Sequence, residues 1–281
     1  MKPTAYRVTP APHLRDPNTV IKVWWSRSAA LLPLIFAYAI FFYIQALRIL
    51  AVTLAAAFAA EWTASKLFKR KPCFENGANV WNALLFSLLI PPSTPSGMAA
   101  AGIFAGIFLG REIFGGAGAA FLSPALLGHA ILQLSDPEIF LRGGILSMDS
   151  GLGVGVTSGA ILLGGIIFAI RKPFYGEVPA VYLALIFLLE KIMPFSHEIS
   201  GRRLFFAALM LLTDPAILPL TRRARLIWAL FAAALTHALM SLSGVPLPEV
   251  FAVLSAGLLT PWLDQWVLPA GAVKIKERVK I

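Results

Sequence analysis

The polar groups best placed to do chemistry in this chain stand where apolar runs are broken by proline. Phe205 to Thr221 reads FFAALMLLTDPAILPLT, with Thr213 and Asp214 directly before Pro215. Asn82 to Pro95 reads NALLFSLLIPPSTP, with Ser93 and Thr94 directly after Pro91-Pro92. A break leaves backbone N–H and C=O groups without intrahelical partners, so a carboxylate or hydroxyl there can cap a half-helix or bind a ligand. Two readings of Asp214 stay open on sequence alone. Either it caps the half-helix that follows and lines a site, or it is a plain N-cap at a surface beside Arg222 and Arg223. Ser93 and Thr94 play the matching part at the first break, with capping the simpler role.

Other polar residues point to less. His129 and His237 lie in apolar runs and read as interhelical hydrogen-bond partners. Neither has a carboxylate or Cys at ligand spacing, so no metal site is expected. Glu61 is expected to pair with Lys66, Glu190 to lie at a surface beside Lys191, and Asp264 to anchor at an interface between Trp262 and Trp266. Arg111-Glu112 reads as an interfacial pair. Ser158 has no G-x-S-x-G elbow and no acid arranged for it, which excludes a self-contained hydrolase. The single Cys73 excludes a disulfide, a Cys-based zinc site and a cysteine-ligated iron–sulfur cluster within this chain.

The elements that position these groups are membrane spans. Hydrophobic residues make up 58% of the chain and charged residues 14%, against about a quarter charged in soluble domains. Mean hydropathy is +0.77. The 281 residues leave room for about ten spans of about 20 residues joined by short loops. The net charge of +10 does not mark a nucleic-acid binder, because the basic residues sit in short loops beside spans, as topology signals. Met1 to Arg27 is basic and proline-bearing, lacks a signal-peptide h-region, and is expected to stay cytoplasmic.

The expected spans are Ser28–Leu47, Ile49–Leu67, Ala78–Ile90, Met98–Gly110, Phe114–Leu134, Leu152–Ile170, Val178–Met193, Leu204–Leu220, Ile227–Leu242 and Val250–Val267. Gly115, Gly116 and Gly118 would let the fifth approach a neighbour closely. With both termini cytoplasmic, only Arg48, Arg142, Lys191, Arg202 and Arg203 of the 24 Lys and Arg fall outside. Five spans per half is an odd number, so the halves have opposite orientation. The spacing from Pro92 to Pro215 equals, within one residue, that from Ser28 to Leu152. Both breaks then fall in the third span of a five-span half, the pattern of an inverted repeat with a site at its centre. The expected fold class is an all-α polytopic membrane protein of about ten transmembrane helices in two inverted five-helix repeats. Its segments are a cytoplasmic stretch 1–27, repeats 28–150 and 151–268, and a basic cytoplasmic tail 269–281.

Four stretches carry a family resemblance over nearly the whole length. They are Ala11-Pro12-His13, LLIPPSTP at Leu88–Pro95, GREIFGGAGAAFLSPA at Gly110–Ala125 and TDPAILPLTRRAR at Thr213–Arg225. The chain resembles the D subunit of the Rnf electron-transport complex and the B subunit of the sodium-translocating NADH:quinone reductase. The resemblance implies a ten-helix inverted-repeat fold like that of urea and ammonium channels. It further implies membrane electron transfer coupled to ion movement, other membrane subunits as partners, and a bacterial-type inner membrane. It also implies FMN esterified to a Thr of an S-G-A-T motif, often with a second, non-covalent flavin, and it makes Pro12, His13, Ser93, Thr94, Thr157, Ser158, Thr213 and Asp214 candidate cofactor-binding residues.

The sequence departs from the family at the cofactor. S-G-A-T is absent, and the nearest string is Ser158-Gly159-Ala160-Ile161, which ends without a hydroxyl. The family's G-S-I-G-E-T-S is LGVGVTS at Leu152–Ser158, with Val156 for the Glu. Ala120 and Ser123 replace the two Asn of N-x-F-N-P-A, and Arg111 stands where the family has Lys. Covalent FMN is therefore not expected, and non-covalent FMN or riboflavin is the cofactor the resemblance leaves. The expectation is a membrane subunit of an ion-translocating redox complex, with no catalytic residues of its own. The alternative is a channel or transporter for a small polar solute or ion that uses the inverted-repeat pore.

Overall fold

A computed structural model describes residues 19–116, 118–141, 143–147, 152–170, 175–193, 201–241 and 246–267. All regular elements among the described residues are helical. Helix α1 runs Val20–Leu67, α2 Ala78–Leu89, α3 Ser96–Ile107, α4 Pro124–Ser135, α5 Pro137–Leu141, α6 Leu152–Ile170, α7 Glu177–Ile192, α8 Gly201–Phe206, α9 Arg222–Ser241 and α10 Pro248–Val267. Helices α1, α6, α9 and α10 are each long and apolar enough to cross a membrane, and α2 is a shorter apolar helix. Leu152, Leu162, Leu163, Ile166 and Ile170 of α6 are exposed. Such apolar exposure suits lipid as solvent. The chain is a multi-pass membrane protein.

Helix α1 is two arms. Tyr43 breaks it with φ 43° and ψ −120°. A straight helix would carry Leu67 roughly 60 Å from Trp25. Yet Trp25 Nε1 donates to the Glu75 carbonyl at 3.3 Å, and the few residues from Leu67 to Glu75 reach less than about 30 Å. The arms 20–42 and 44–67 therefore fold back on each other. The sequence reading put this turn at Arg48. A turn needs one residue out of helical φ/ψ, and Tyr43 supplies it, leaving Arg48 inside the second arm.

Two helices end in π-helical turns, Phe108–Glu112 after α3 and Ala207–Leu211 after α8. Each is followed by irregular backbone. The first corrects the expected span Phe114–Leu134, because no helix resumes until Pro124. Gly115, Gly116 and Gly118 have φ of 134°, 87° and 99°, conformations that no helix contains and that only glycine adopts freely. Close helix approach is made elsewhere, by α3 against α4. A Cβ on Gly128 would stand 2.6 Å from the Gly102 carbonyl oxygen, and one on Gly106 would stand 2.8 Å from the Gly128 nitrogen. The expected span Leu204–Leu220 is likewise shorter, its helical part ending at Leu211.

The core joins early and late elements. Helix α1 packs on α2, α3 and α6, α4 packs on α10 as well as α3, and α9 packs on α7 and α10. Leu31, Trp81, Leu85, Ala125, Phe206, Trp228 and Val253 are fully buried within one apolar cluster.

Candidate functional site

The two irregular stretches that follow the π-turns meet. Ser123 Oγ donates to Asp214 Oδ2 at 2.6 Å, and the Ala216 amide donates to Asp214 Oδ1 at 3.0 Å. The Ile217 and Leu218 amides both donate to the Asp214 carbonyl at 3.2 Å. Asp214 is 1% exposed, so it is not the surface N-cap considered from sequence. Nor does it cap α9, which begins at Arg222 and draws on Thr221 Oγ1 for the Ala224 amide at 3.2 Å. Its carboxylate instead holds a buried turn and ties the two halves of the chain together. A carboxylate this deep is tolerable only with such partners.

The start of α4 is fixed from a second side. Asn82 Oδ1 accepts the Ala125 amide at 3.3 Å, while Asn82 Nδ2 donates to the Ala78 carbonyl at 2.8 Å. One side chain thus satisfies an orphan amide of α4 and stays bonded to its own helix. Thr213 Oγ1 donates back to the Leu209 carbonyl at 2.6 Å, and the Thr213 carbonyl accepts Arg27 Nη2. Arg27 is 2% exposed. Its guanidinium carbon lies 4.5 Å from the Phe168 ring centre and 5.6 Å from that of Trp81. The sequence reading treated Arg27 as a cytoplasmic topology charge, and the structure buries it at the second break.

These segments enclose a cavity of about 540 Å³, walled by Val20, Trp24, Asn76, Asn82, Arg111 and Pro215 among others. One wall is a buried charge cluster. Arg111 lies 2.6 Å from Glu112 Oε1 and 3.4 Å from Glu61 Oε2. Its Nη2 also donates to Asn79 Oδ1 at 2.8 Å. Glu61 accepts the Cys73 amide on one oxygen and Asn79 Nδ2 on the other. This corrects two expectations. Glu61 pairs with Arg111, not Lys66, and Arg111-Glu112 is buried, not interfacial. The π-turn explains the second. Its wider coil turns two consecutive residues toward the interior together.

The other predicted site residues fall elsewhere. Thr94 is buried, and its hydroxyl donates to the Pro91 carbonyl at 2.6 Å, so it closes a turn and leaves α3 without a side-chain cap. Arg48 braces this break, its Nη2 donating to the Pro92 and Thr94 carbonyls at 3.1 and 3.2 Å. Ser93 is half-buried beside them. Thr94 lies beyond the far end of α2, which runs on roughly 10 Å past Asn82 of the cavity wall. Thr157 Oγ1 donates to the Gly153 carbonyl at 2.7 Å and accepts Arg202 Nη1 at 3.2 Å. Ser158 lines a second cavity of about 340 Å³ with Leu162, Arg202 and Phe205. The structure thus places Thr213 and Asp214 directly behind Pro215 and Ala216 of the larger cavity's wall and keeps Ser93, Thr94, Thr157 and Ser158 apart from it. Pro12 and His13 lie outside the described residues.

Sequence reasoning missed Arg27, Glu61, Asn79, Asn82, Arg111 and Ser123. A signal existed for two of them. Asn79 and Asn82 are three residues apart in an apolar helix, on one face, and amides in such a run need partners.

The profile of the NQR2, RnfD, RnfE family matches residues 7–143 and 143–272. The chain is 27% identical over 282 residues to the D subunit of the ion-translocating oxidoreductase complex of Methanosarcina acetivorans, covering 95% of this chain and 96% of that protein. It is 25% identical to the D subunit of the proton-translocating ferredoxin:NAD(+) oxidoreductase complex of Clostridium ljungdahlii, covering 96% of each. It is 27% identical to the B subunit of the Na(+)-translocating NADH-quinone reductase of Azotobacter vinelandii, over 70% of this chain and 60% of that one.

Proposed function

Because the chain belongs to the NQR2, RnfD, RnfE family, we propose that it is an integral membrane subunit of an ion-translocating electron-transport complex. Its relatives of matching length are named as subunits of such complexes, and other membrane subunits are its partners. In this reading ten spans form two inverted repeats, 28–150 and 151–268, with both termini cytoplasmic in a bacterial-type inner membrane. The observation that carries the site is the cavity between the segments around Ser123 and Asp214, one from each half of the chain.

The cofactor proposed for it is a non-covalent flavin, FMN or riboflavin. The residues present fit one. Asn76, Asn82 and Arg111 put amide and guanidinium groups in the cavity's lining. A flavin ring offers an edge of acceptors, and Trp24 gives the cavity an aromatic wall. A bound flavin supplies electron transfer. Thr213 and Asp214 hold the floor of the site in place, and the buried core beside it excludes water. Ser93, Thr94, Thr157 and Ser158 remain proposed cofactor contacts at positions away from this cavity, and Pro12 and His13 remain proposed contacts by the family resemblance. Covalent attachment is not proposed, since Ile161 has no hydroxyl to esterify.

The test is the visible spectrum of the purified protein. The expected result is blue-light absorption of an oxidised flavin that denaturation and washing release. Flavin-free, monodisperse protein that refuses added flavin and moves a polar solute in liposomes would sink the redox reading in favour of a channel.

A further inference from the structure

The exposed apolar surface is of two kinds. Helix α6 presents large side chains, Leu162, Leu163, Ile166 and Ile170. Between the 44–67 arm of α1 and α3 the surface is instead a groove of about 520 Å³, lined by Val52, Ala55, Ala59, Ala100, Ala101 and Phe104 among others, with no polar side chain. Val52, Ala55, Ala59, Trp62 and Lys66 recur at three or four residues and share one face of the arm. The groove therefore runs toward the arm's end, where Trp62 is exposed and Lys66 Nζ lies 6.0 Å from its ring centre.

The other side of the groove ends the same way. Phe104 stacks on Phe108 at 6.1 Å and Phe108 on Phe68 at 6.2 Å, and the Arg70 guanidinium carbon lies 4.7 Å from the Phe68 ring centre. The helix closes there on the Ser65 and Lys66 carbonyls, which accept the Arg70 and Lys69 amides at 2.9 and 3.4 Å. Lys69 takes φ 52° at the position glycine usually fills. This turn gathers Lys66, Lys69 and Arg70. All three are exposed, and none makes an ion pair among the described residues.

We propose that this groove binds an anionic phospholipid, with an acyl chain along the alanines and the phosphate at Lys66, Lys69 and Arg70. Length favours a lipid over a partner's helix. Val52 and Lys66 are roughly 21 Å apart along the arm, and one leaflet with its headgroups is about 20–22 Å deep. Past Val52 the arm exposes Arg48, Leu47 and Ile44, side chains too bulky for a close helix seam. Charge favours it too. Three cations without a carboxylate partner draw a phosphate, and Trp62 sits where a ring meets the headgroup layer.

The experiment titrates phosphatidylglycerol, and phosphatidylcholine with the same chains, into the detergent-purified full chain and counts bound lipid by native mass spectrometry. Wild type binds phosphatidylglycerol at least about tenfold more tightly than phosphatidylcholine, as several cations at one phosphate require. Lys66→Gln/Lys69→Gln leaves the 3.1 Å bond from Arg70 to the Glu112 carbonyl in place and loses that preference. If the double variant is not monodisperse, Lys66→Gln and Lys69→Gln are measured singly, and each must reduce the preference. Ala59→Leu, at an exposed position, fills the groove and weakens both lipids. Inorganic phosphate does not displace the bound lipid. Wild type with no preference for phosphatidylglycerol, variants that bind as wild type does, or displacement by inorganic phosphate would overturn the proposal. So would an Ala59→Leu chain that binds lipid normally but sheds other membrane subunits, because the groove would then belong to a partner's helix. Each outcome leaves the flavin reading where it stands.

Discussion

Gly128 is where one methyl group tests both packing and site. In Gly128→Ala the new Cβ would stand 2.6 Å from the Gly102 carbonyl oxygen and 3.1 Å from its carbon, whereas ordinary contact begins at 3.4 Å. Both atoms are backbone, so no side chain can move aside. Helices α3 and α4 must part by about 0.8 Å, the difference between 3.4 and 2.6 Å. Overpacking of this kind costs about 1–3 kcal/mol. A gap of about 0.5–1 Å also forfeits a quarter to a half of each dispersion contact along the seam. Against that, Ala gains up to about 1 kcal/mol of helix propensity over Gly. The net loss is about 1–2 kcal/mol, a fall of roughly 2–6 °C in the thermal midpoint. The shift also moves the start of α4, so the 2.6 Å bond from Ser123 to Asp214 lengthens and flavin retention drops with stability. Gly97→Ala is the control, since nothing lies within 4 Å of its Cβ. The assay is thermal unfolding in detergent, with the flavin-to-protein absorbance ratio measured on the same samples. A Gly128→Ala midpoint at or above that of Gly97→Ala would refute the close approach of α3 and α4.

Three further outcomes follow from the same structure. Glu61→Gln leaves Arg111 with one carboxylate in a buried setting and costs about 3 kcal/mol, the low end for a broken buried pair because Glu112 remains. Its thermal midpoint should fall below that of Gly128→Ala, and an unchanged midpoint would mean that the cluster is not closed as described. Cys73 is exposed and is the only cysteine. A membrane-impermeant maleimide should label it in inside-out vesicles and not in intact cells, and the reverse pattern would invert the proposed topology. Protein co-expressed with a flavin transferase, denatured and washed, should show no fluorescent flavin band on a gel, and a band would overturn the reading of Ile161.

The membrane character and the places where helices break were legible in the sequence, for physical reasons. Hydrocarbon excludes charge, so long apolar runs such as Leu152–Ile170 declare themselves, and proline cannot continue a helix, so Pro91 and Pro215 mark breaks at any depth. Local composition determines those features. The apolar run from Phe114 was misread because glycine at positive φ and glycine at a helix seam look the same in sequence, and only the backbone separates Gly115 from Gly128. The partners of charged residues were also beyond the sequence. Glu61 has Lys66 one turn away, yet it pairs with Arg111, and Asp214 looks toward Arg222 but bonds Ser123. In a low-dielectric interior the nearest donor in space decides the pairing, and that donor comes from another helix. The sequence determined that two broken helices exist. The tertiary structure decided that the unwound backbone after the second meets the unwound backbone after α3, because buried amides and carboxylates released by unwinding must find each other when no water is there to take them.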